Sequence, residues 1–291
     1  MPDIVILAHH YDSFAKSSYW LNAISEYWKK NGIRTSVVSD PRVKVEADAA
    51  ILHVDLTVVP PEYLDFIRRY RVGLNGGVAD ISKRSISTHL LDCSDRYPGS
   101  VIVKTDRNSQ GLRERRIATR IFKSSRGRNI KDYCFAMRER FRQTRRRWRH
   151  GSAEAFENYP IFNSITDVPE AIWSDPDLVV ERFLPERRNG HYCVRTWLFL
   201  GNQERNAIFY SQDPVIKSHN IVHFERTNEV PDELRQMRRD LNFDFGKFDY
   251  AVVDGKAVLF DANRTPTIGT FPEERYGPIA QLLANGLGSF L

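Results

Sequence analysis

The stretch Phe248-Asp249-Tyr250-Ala251-Val252-Val253-Asp254-Gly255-Lys256-Ala257-Val258-Leu259-Phe260-Asp261-Ala262-Asn263 constrains this chain more than any other. Two β-prone runs meet at Asp254-Gly255, the dipeptide that a tight hairpin favours. Asp249 opens the first run. Asp261 and Asn263 close the second, two residues apart, and a strand's period of two points them the same way. Three oxygen-bearing side chains then converge at one end of a hairpin. They can serve as polar caps of the hairpin end. They are also the set that a hard Mg²⁺ ion takes, a few carboxylate and carbonyl oxygens with nucleotide phosphates completing the octahedron.

Upstream, strand and helix patterns alternate. Residues 3–8 predict a strand. Residues 17–30 predict a helix, with Trp20, Leu21, Ile24 and Trp28 at helical spacing and Gly32 as its stop. Strands follow over 33–38 and 49–54, a helix opens at Pro60-Pro61, and a short strand covers 72–74 before Asn75-Gly76-Gly77. This β-α-β-α-β order implies a small parallel sheet. Residues 81–91 predict a helix. Val101-Ile102-Val103-Lys104 is an apolar strand running into a polar loop over 105–111, and further strands are predicted over 178–184, 194–200 and 207–211. Helices are predicted over 231–241 and 278–287.

The 291 residues and 41% hydrophobic content allow a sizeable core in one large or two to three small domains. Cys93, Cys134 and Cys193 are widely spaced, match no zinc pattern and suggest a reducing compartment. The apolar run Ile4 to Ala8 is too short for a signal segment or membrane span, so a cytoplasmic location is expected. The net charge of +6 is uneven: fifteen Lys or Arg between Arg113 and Arg149 face only Glu114, Asp132 and Glu139. That surplus of twelve leaves the rest of the chain at −6. Ile130, Tyr133, Met137, Phe141 and Trp148 form an apolar stripe within this segment, which predicts an amphipathic helix with arginines on its other face. Such a surplus self-repels without a counter-anion, and an anionic substrate, nucleic acid or an acidic partner at 113–149 would supply one. His9, His10 and Asp12 lie where open α/β sheets bind ligands, or form a solvated loop.

Taken in order, these pieces resemble the ATP-grasp superfamily, with local patterns most similar to D-alanine–D-alanine ligases. Ser82-Lys83-Arg84-Ser85 resembles the family's first ATP lysine. Val101 to Lys104 resembles the second. Val180-Glu181-Arg182-Phe183-Leu184 resembles the adenine hinge, and Gly246-Lys247-Phe248-Asp249 with Asp261-Ala262-Asn263-Arg264-Thr265-Pro266 resembles the metal block. The resemblance implies an α/β chain with an ATP-grasp fold, two α+β subdomains clamping ATP, behind a small parallel-sheet domain. The implied boundaries are 1–80 for the leading domain and 81–291 for the ATP-grasp domain. Within the latter, 101–184 is the small subdomain, with a basic helical insertion at 112–155.

The same resemblance implies ATP and Mg²⁺ as cofactors. Lys83 and Lys104 would hold phosphates, Glu181, Arg182, Phe183 and Leu184 adenine, and Glu186 the ribose. Asp249, Asp261 and Asn263 would bind metal. Arg195, Lys247 and Arg264 would steady the phosphoryl or carboxylate group. The chain departs from the pattern in five places: the lysines are close together, the lysine-to-hinge interval is long, the glycine-rich phosphate loop is reduced to Asn108-Ser109-Gln110-Gly111, Asp261 stands where many relatives have Glu, and Glu186 lies one or two places off the ribose position. The implied activity joins a carboxylate, activated as an acyl phosphate, to an amine or thiol. The alternatives are a kinase acting on an anionic small molecule and a non-catalytic ATP-binding module with an anionic partner. Partners would then be small-molecule or peptide carboxylates and amines.

Overall fold

Alternate residues of the first strand look into two different cores. The computed structural model describes residues 2–124, 130–150 and 159–291, the side chains of 145–150 excepted. Strands β1 (Asp3–Ala8), β2 (Arg34–Val38), β3 (Ala49–His53) and β4 (Val72–Leu74) form a parallel sheet in the order β2-β1-β3-β4. Ile4, Ile6 and Ile51 meet Trp20, Leu21, Ile24 and Trp28 of helix α1 (Trp20–Lys30). Val5, Leu7 and Leu52 meet Tyr63, Leu64 and Phe66 of α2 (Pro61–Ile67). Helices on both faces explain why β1 and β3 read as continuous apolar runs.

The predicted helix over 81–91 is cut short. Only α3 (Lys83–Ile86) is helical, and Leu90–Leu91 becomes β5. Backbone pairing wins over helical periodicity here, because Leu90 and Leu91 find partners in Glu181 and Val180. Strand β5 joins β6 (Val101–Thr105), β7 (Ile161–Phe162) and β8 (Leu178–Arg182) in an antiparallel sheet, order β5-β8-β6-β7, with α6 (Glu170–Trp173) against it.

Between β6 and β7 run α4 (Leu112–Lys123) and α5 (Ile130–His150). The apolar stripe expected to bury α5 does the opposite. Ile130 is 83% exposed and Phe141 69%, while Ala136 and Glu139 face inward. Small Ala136 nests with Ile117 and Ile121 of α4, and Glu139 holds the Arg107 guanidinium at 2.6 Å. A close helix contact and a buried ion pair therefore set the face, rather than the apolar row. The Trp148 side chain and residues 125–129 and 151–158 lie outside the described residues.

The third sheet runs β12 (Ile221–Thr227), β11 (Gln203–Ser211), β10 (His191–Leu200), β13 (Phe245–Val253), β14 (Lys256–Asn263), with β9 (Glu186–Arg188) also against β10. Helix α7 (Asp232–Asp240) covers one face through Leu234, against Trp197, Phe199 and Phe248. Helix α8 (Glu273–Ala284) shares the first core with Leu198, Leu200 and Phe245 from the other face, and ties it to α1, where Trp28 Nε1 donates to the Ala284 carbonyl. Among the described residues no helix is long and apolar enough to cross a membrane.

Candidate functional site

Strands β13 and β14 meet at Asp254 and Gly255, both in the left-handed region (φ 51° and 77°), as the tight turn requires. The pairing begins Val253 to Lys256 and continues to Tyr250 opposite Leu259. There Phe260 is bulged, and the next pair is Asp249 opposite Asp261, followed by Lys247 opposite Asn263. Were the same residues paired without a bulge, Asp261 would oppose Phe248 and face the α7 core. The bulge brings Asp249, Asp261, Asn263 and Lys247 onto one face, joined by Thr196 of β10, whose hydroxyl donates to Asp249 Oδ1 at 2.8 Å.

Three lysine–carboxylate pairs gather over this face. Lys83, at the start of α3, places Nζ 2.5 Å from Asp261 Oδ1. Lys247 Nζ lies 2.7 Å from Asp249 Oδ2. Lys104 Nζ lies 2.7 Å from Glu181 Oε2 and 5.1 Å from the centre of the bulged Phe260 ring. Burial pulls the Lys83 ammonium down, and Asp261 more than offsets it, leaving the group above its ordinary value. Burial opposes Asp249 at Lys247 with the same net result. For Glu181 burial acts to raise the carboxyl, but Lys104 and His89 hold it well below the carboxylate range.

The resemblance makes Glu181 part of an adenine hinge; its side chain is wholly buried. The hinge backbone is already engaged: Arg182 N donates to the His89 carbonyl at 3.0 Å and Phe183 N to that of Ser100 at 2.9 Å. Leu184 follows the end of β8. Reasoning from sequence missed His89, Thr196, Phe260 and Tyr159. The Tyr159 hydroxyl is pushed above its usual value by burial, between the opposing charges of Lys83 and Asp261. Thr196 could have been found as the residue beside Arg195 on the opposite face of a predicted strand; the others carry no signal until the chain is folded.

The loop from β6 into α4 is built from Ser109, Gln110 and Gly111, with φ of 46°, 57° and 71°. Two non-glycine residues in the left-handed region cost of order 1 kcal/mol each. The conformation is held by Asn108 N donating to Thr57 Oγ1 at 3.1 Å and by Arg115 Nη1 donating to the Gln110 carbonyl at 2.6 Å.

Three expected site residues are directed elsewhere. Arg195 neighbours Thr196, so it points to the opposite face of β10. It makes a bidentate pair there with Glu186, Nη2 to Oε1 at 2.7 Å and Nε to Oε2 at 2.9 Å. The expected ribose acid, Glu186, is thereby occupied, and it also accepts from Val252 N at 2.8 Å. Arg264 is wholly buried and donates to the carbonyls of Val54 (3.0 Å), Val78 (2.8 Å), Thr57 (3.1 Å) and Leu56. Burial pulls its guanidinium down to about 10. It joins the parallel sheet's loops to the end of β14 rather than facing the carboxylates. Asn263 shares the carboxylate face, and its Oδ1 accepts from Thr265 N at 2.8 Å.

No protein-family model and no curated protein matches the sequence. Solved structures do match. The ATP-grasp ligase PsnB, complexed with minimal precursor, Mg and ADP, aligns over 97% of this chain and 96% of its own, with a TM-score of 0.50 and 12% identity. The chain has the ATP-grasp fold. D-alanine–D-alanine ligase from Bacillus anthracis aligns over 100% of this chain and 96% of its own, at a TM-score of 0.46 and 12% identity. The antiparallel sheet of β5 to β8 meets the large sheet at Phe260, whose ring lies under Lys104 of β6 and 6.3 Å from the His89 ring.

Proposed function

We propose that the protein is an ATP- and Mg²⁺-dependent ligase that activates a carboxylate as an acyl phosphate and joins it to an amine. The observation that carries this reading is the meeting of three lysines and three carboxylates on one face of the β13–β14 hairpin. The donor chemistry fits the metal. Asp249 and Asp261 are hard oxygen donors, partly exposed and directly opposite each other, with the Asn263 amide on the same face. Among the described residues no three His, Cys, Asp or Glu side chains form a metal cluster, so phosphate oxygens and water would complete the shell. Mg²⁺ would neutralise the phosphate charge that develops during transfer.

The chain's own residues then have separable tasks. Lys83 and Lys104 exchange their carboxylate partners for phosphate oxygens, as point charges. Glu181, Arg182, Phe183 and Leu184 line the side on which adenine lies, through groups other than the engaged amides of Arg182 and Phe183. Lys247 stands beside Asp249, where a carboxylate oxygen attacks the γ-phosphorus and the bond to the ADP oxygen breaks. The amine then attacks the acyl carbon, phosphate leaves, and the nitrogen loses a proton. The gain comes from positioning and fixed charge rather than from covalent chemistry by the protein. The Arg195–Glu186 pair and Arg264 hold the platform beneath. The likeness to the ATP-grasp ligase PsnB, complexed with Mg and ADP, supports this reading.

Phosphorus NMR of the protein with Mg²⁺, ATP and pooled cell metabolites tests it. ADP and free phosphate that appear with one metabolite fraction, and vanish in Asp261→Ala, are expected. A new phosphoester signal instead would make the protein a kinase. Full turnover in an Asp261→Ala, Asn263→Ala double variant would end both readings.

A further inference from the structure

The register of the large sheet sets one row of residues on one face: Asp261, Asp249, Thr196, Ala207 and Arg226, each opposite the next. Neighbouring strands lie about 4.8 Å apart, so the Arg226 backbone is about 14 Å from that of Asp249 along this row. Arg205, two residues before Ala207 on β11, looks out from the same face. Arg275, in the first turn of α8, comes down beside them. Arg205, Arg226 and Arg275 line a cavity of about 460 Å³ with Glu274, Pro278 and Ile279.

Three other arginines on or beside this sheet have carboxylate partners. Arg195 is paired with Glu186, Arg188 with Glu225 and Arg235 with Glu204. Among the described residues no carboxylate lies within ion-pair distance of Arg205, Arg226 or Arg275, and Glu274 is the one acid on the cavity wall. Arg205 feels burial and then the like charge of Arg226, both of which lower its pKa. The Arg275 guanidinium is fixed between two rings, 4.3 Å from Phe224 and 4.7 Å from Phe271. Guanidinium groups gathered without a counter-charge repel one another, and a bound anion relieves that repulsion. Their planar forks suit carboxylates.

We propose that this cavity holds a second carboxylate of the substrate whose first carboxylate is activated at Asp249 and Asp261, which makes the substrate an extended acidic peptide. The identification rests on the ligase reading; the anion site itself rests on the arginine cavity. A single amino acid is too short to reach both places. An extended peptide advances about 3.4 Å per residue, so side chains four residues apart share one side and stand about 14 Å apart.

The test is fluorescence polarisation without nucleotide, at about 0.1 M salt. The probe is a fluorescein-labelled, C-terminally amidated pentapeptide with glutamate at both ends and glycine between. The wild-type protein should bind it saturably and should bind the version with one glutamate replaced by glutamine roughly 10-fold more weakly, the loss expected for one charged hydrogen-bonded contact. An Arg226→Gln, Arg275→Gln variant should lose the same factor, with an unchanged melting temperature as the control for folding. Equal binding of the two peptides, equal binding by the variant, or no saturable binding by the wild type would each overturn the proposal. So would a larger loss in Arg138→Gln, Arg140→Gln, which would move the acidic-peptide site to α5. Peptide binding with no ATP turnover under any substrate would remove the ligase reading and leave the anion site standing. Turnover without peptide binding would do the reverse.

Discussion

Asp249 and Asp261 stand directly opposite each other across β13 and β14, although the two-residue turn at Asp254-Gly255 sets a register in which they would not. The bulged Phe260 makes up the difference. Inserting one alanine after Phe260 leaves the bulge in place and shifts Asp261 opposite Phe248 and Asn263 opposite Gly246, on the face covered by α7. That insertion should abolish Mg²⁺-dependent ATP binding, by roughly 100-fold or more if both carboxylate contacts are lost. Isothermal titration with Mg²⁺–ATP measures it. The Phe260→Leu variant keeps the extra residue and should bind ATP within about threefold of wild type, since it loses only the ring under Lys104. Full binding by the insertion, with weakening in Phe260→Leu, would show that the ring, not the register, is what matters.

The Arg195–Glu186 pair separates a structural role from a catalytic one. Both side chains are nearly buried, 9% and 6% exposed. Removing one partner leaves the other charge unpaired, at a cost of about 3–5 kcal/mol. Arg195→Met should therefore lower unfolding free energy in urea by that order, and Glu186→Gln should do nearly as much. The Michaelis constant for ATP should move little at temperatures where the variants stay folded. A variant of unchanged stability and lost turnover would return Arg195 to the chemistry.

Arg264 makes a parallel case. Its guanidinium satisfies carbonyls from Val54, Leu56, Thr57 and Val78. Each buried carbonyl left without a donor costs about 1–3 kcal/mol. Arg264→Met should lose about 4 kcal/mol or more, read as a fall in the urea midpoint with unchanged slope. Arg264→Lys keeps the charge but cannot span the carbonyls, so it should be nearly as unstable. A stable Arg264→Lys variant would count against the clamp.

These residues also show where the sequence could be followed and where it could not. The parallel sheet was legible because runs such as Ile4 to Leu7 and Ala50 to Leu52 must be covered on both faces. The hairpin was legible from Asp254-Gly255 and the alternation around it. The bulge at Phe260 was not, since nothing in the order of residues marks which strand holds the extra one. Arg264 and Arg195 were placed by proximity in sequence to metal and hinge positions, and period-two alternation or the path of the loop carried them elsewhere. The α5 stripe misled for a related reason. Apolar periodicity identified the helix, but the buried face was chosen by Glu139 and Ala136, whose partners are distant in sequence.

Acid stability gives a test of the first core that is independent of the site. His53 is wholly buried at the end of β3, its ring 4.5 Å from that of Tyr19 and 5.0 Å from that of Phe14. Burial, and then the positive charges of Arg264 and Arg113, push its pKa down from 6.5 to about 3. The folded protein thus holds His53 neutral while the unfolded chain protonates it below pH 6.5. Between those two values the unfolded state binds one more proton, so stability falls as the pH falls, by about 1.4 kcal/mol per unit. The contribution is fully present above pH 6.5 and is lost progressively toward pH 3. His53→Phe fills the same aromatic cluster without a titrating group. Between pH 8 and pH 5 the wild type should lose about 2 kcal/mol more than this variant in urea unfolding. Parallel losses in the two proteins would mean that His53 takes up its proton in the folded state as readily as in the unfolded chain.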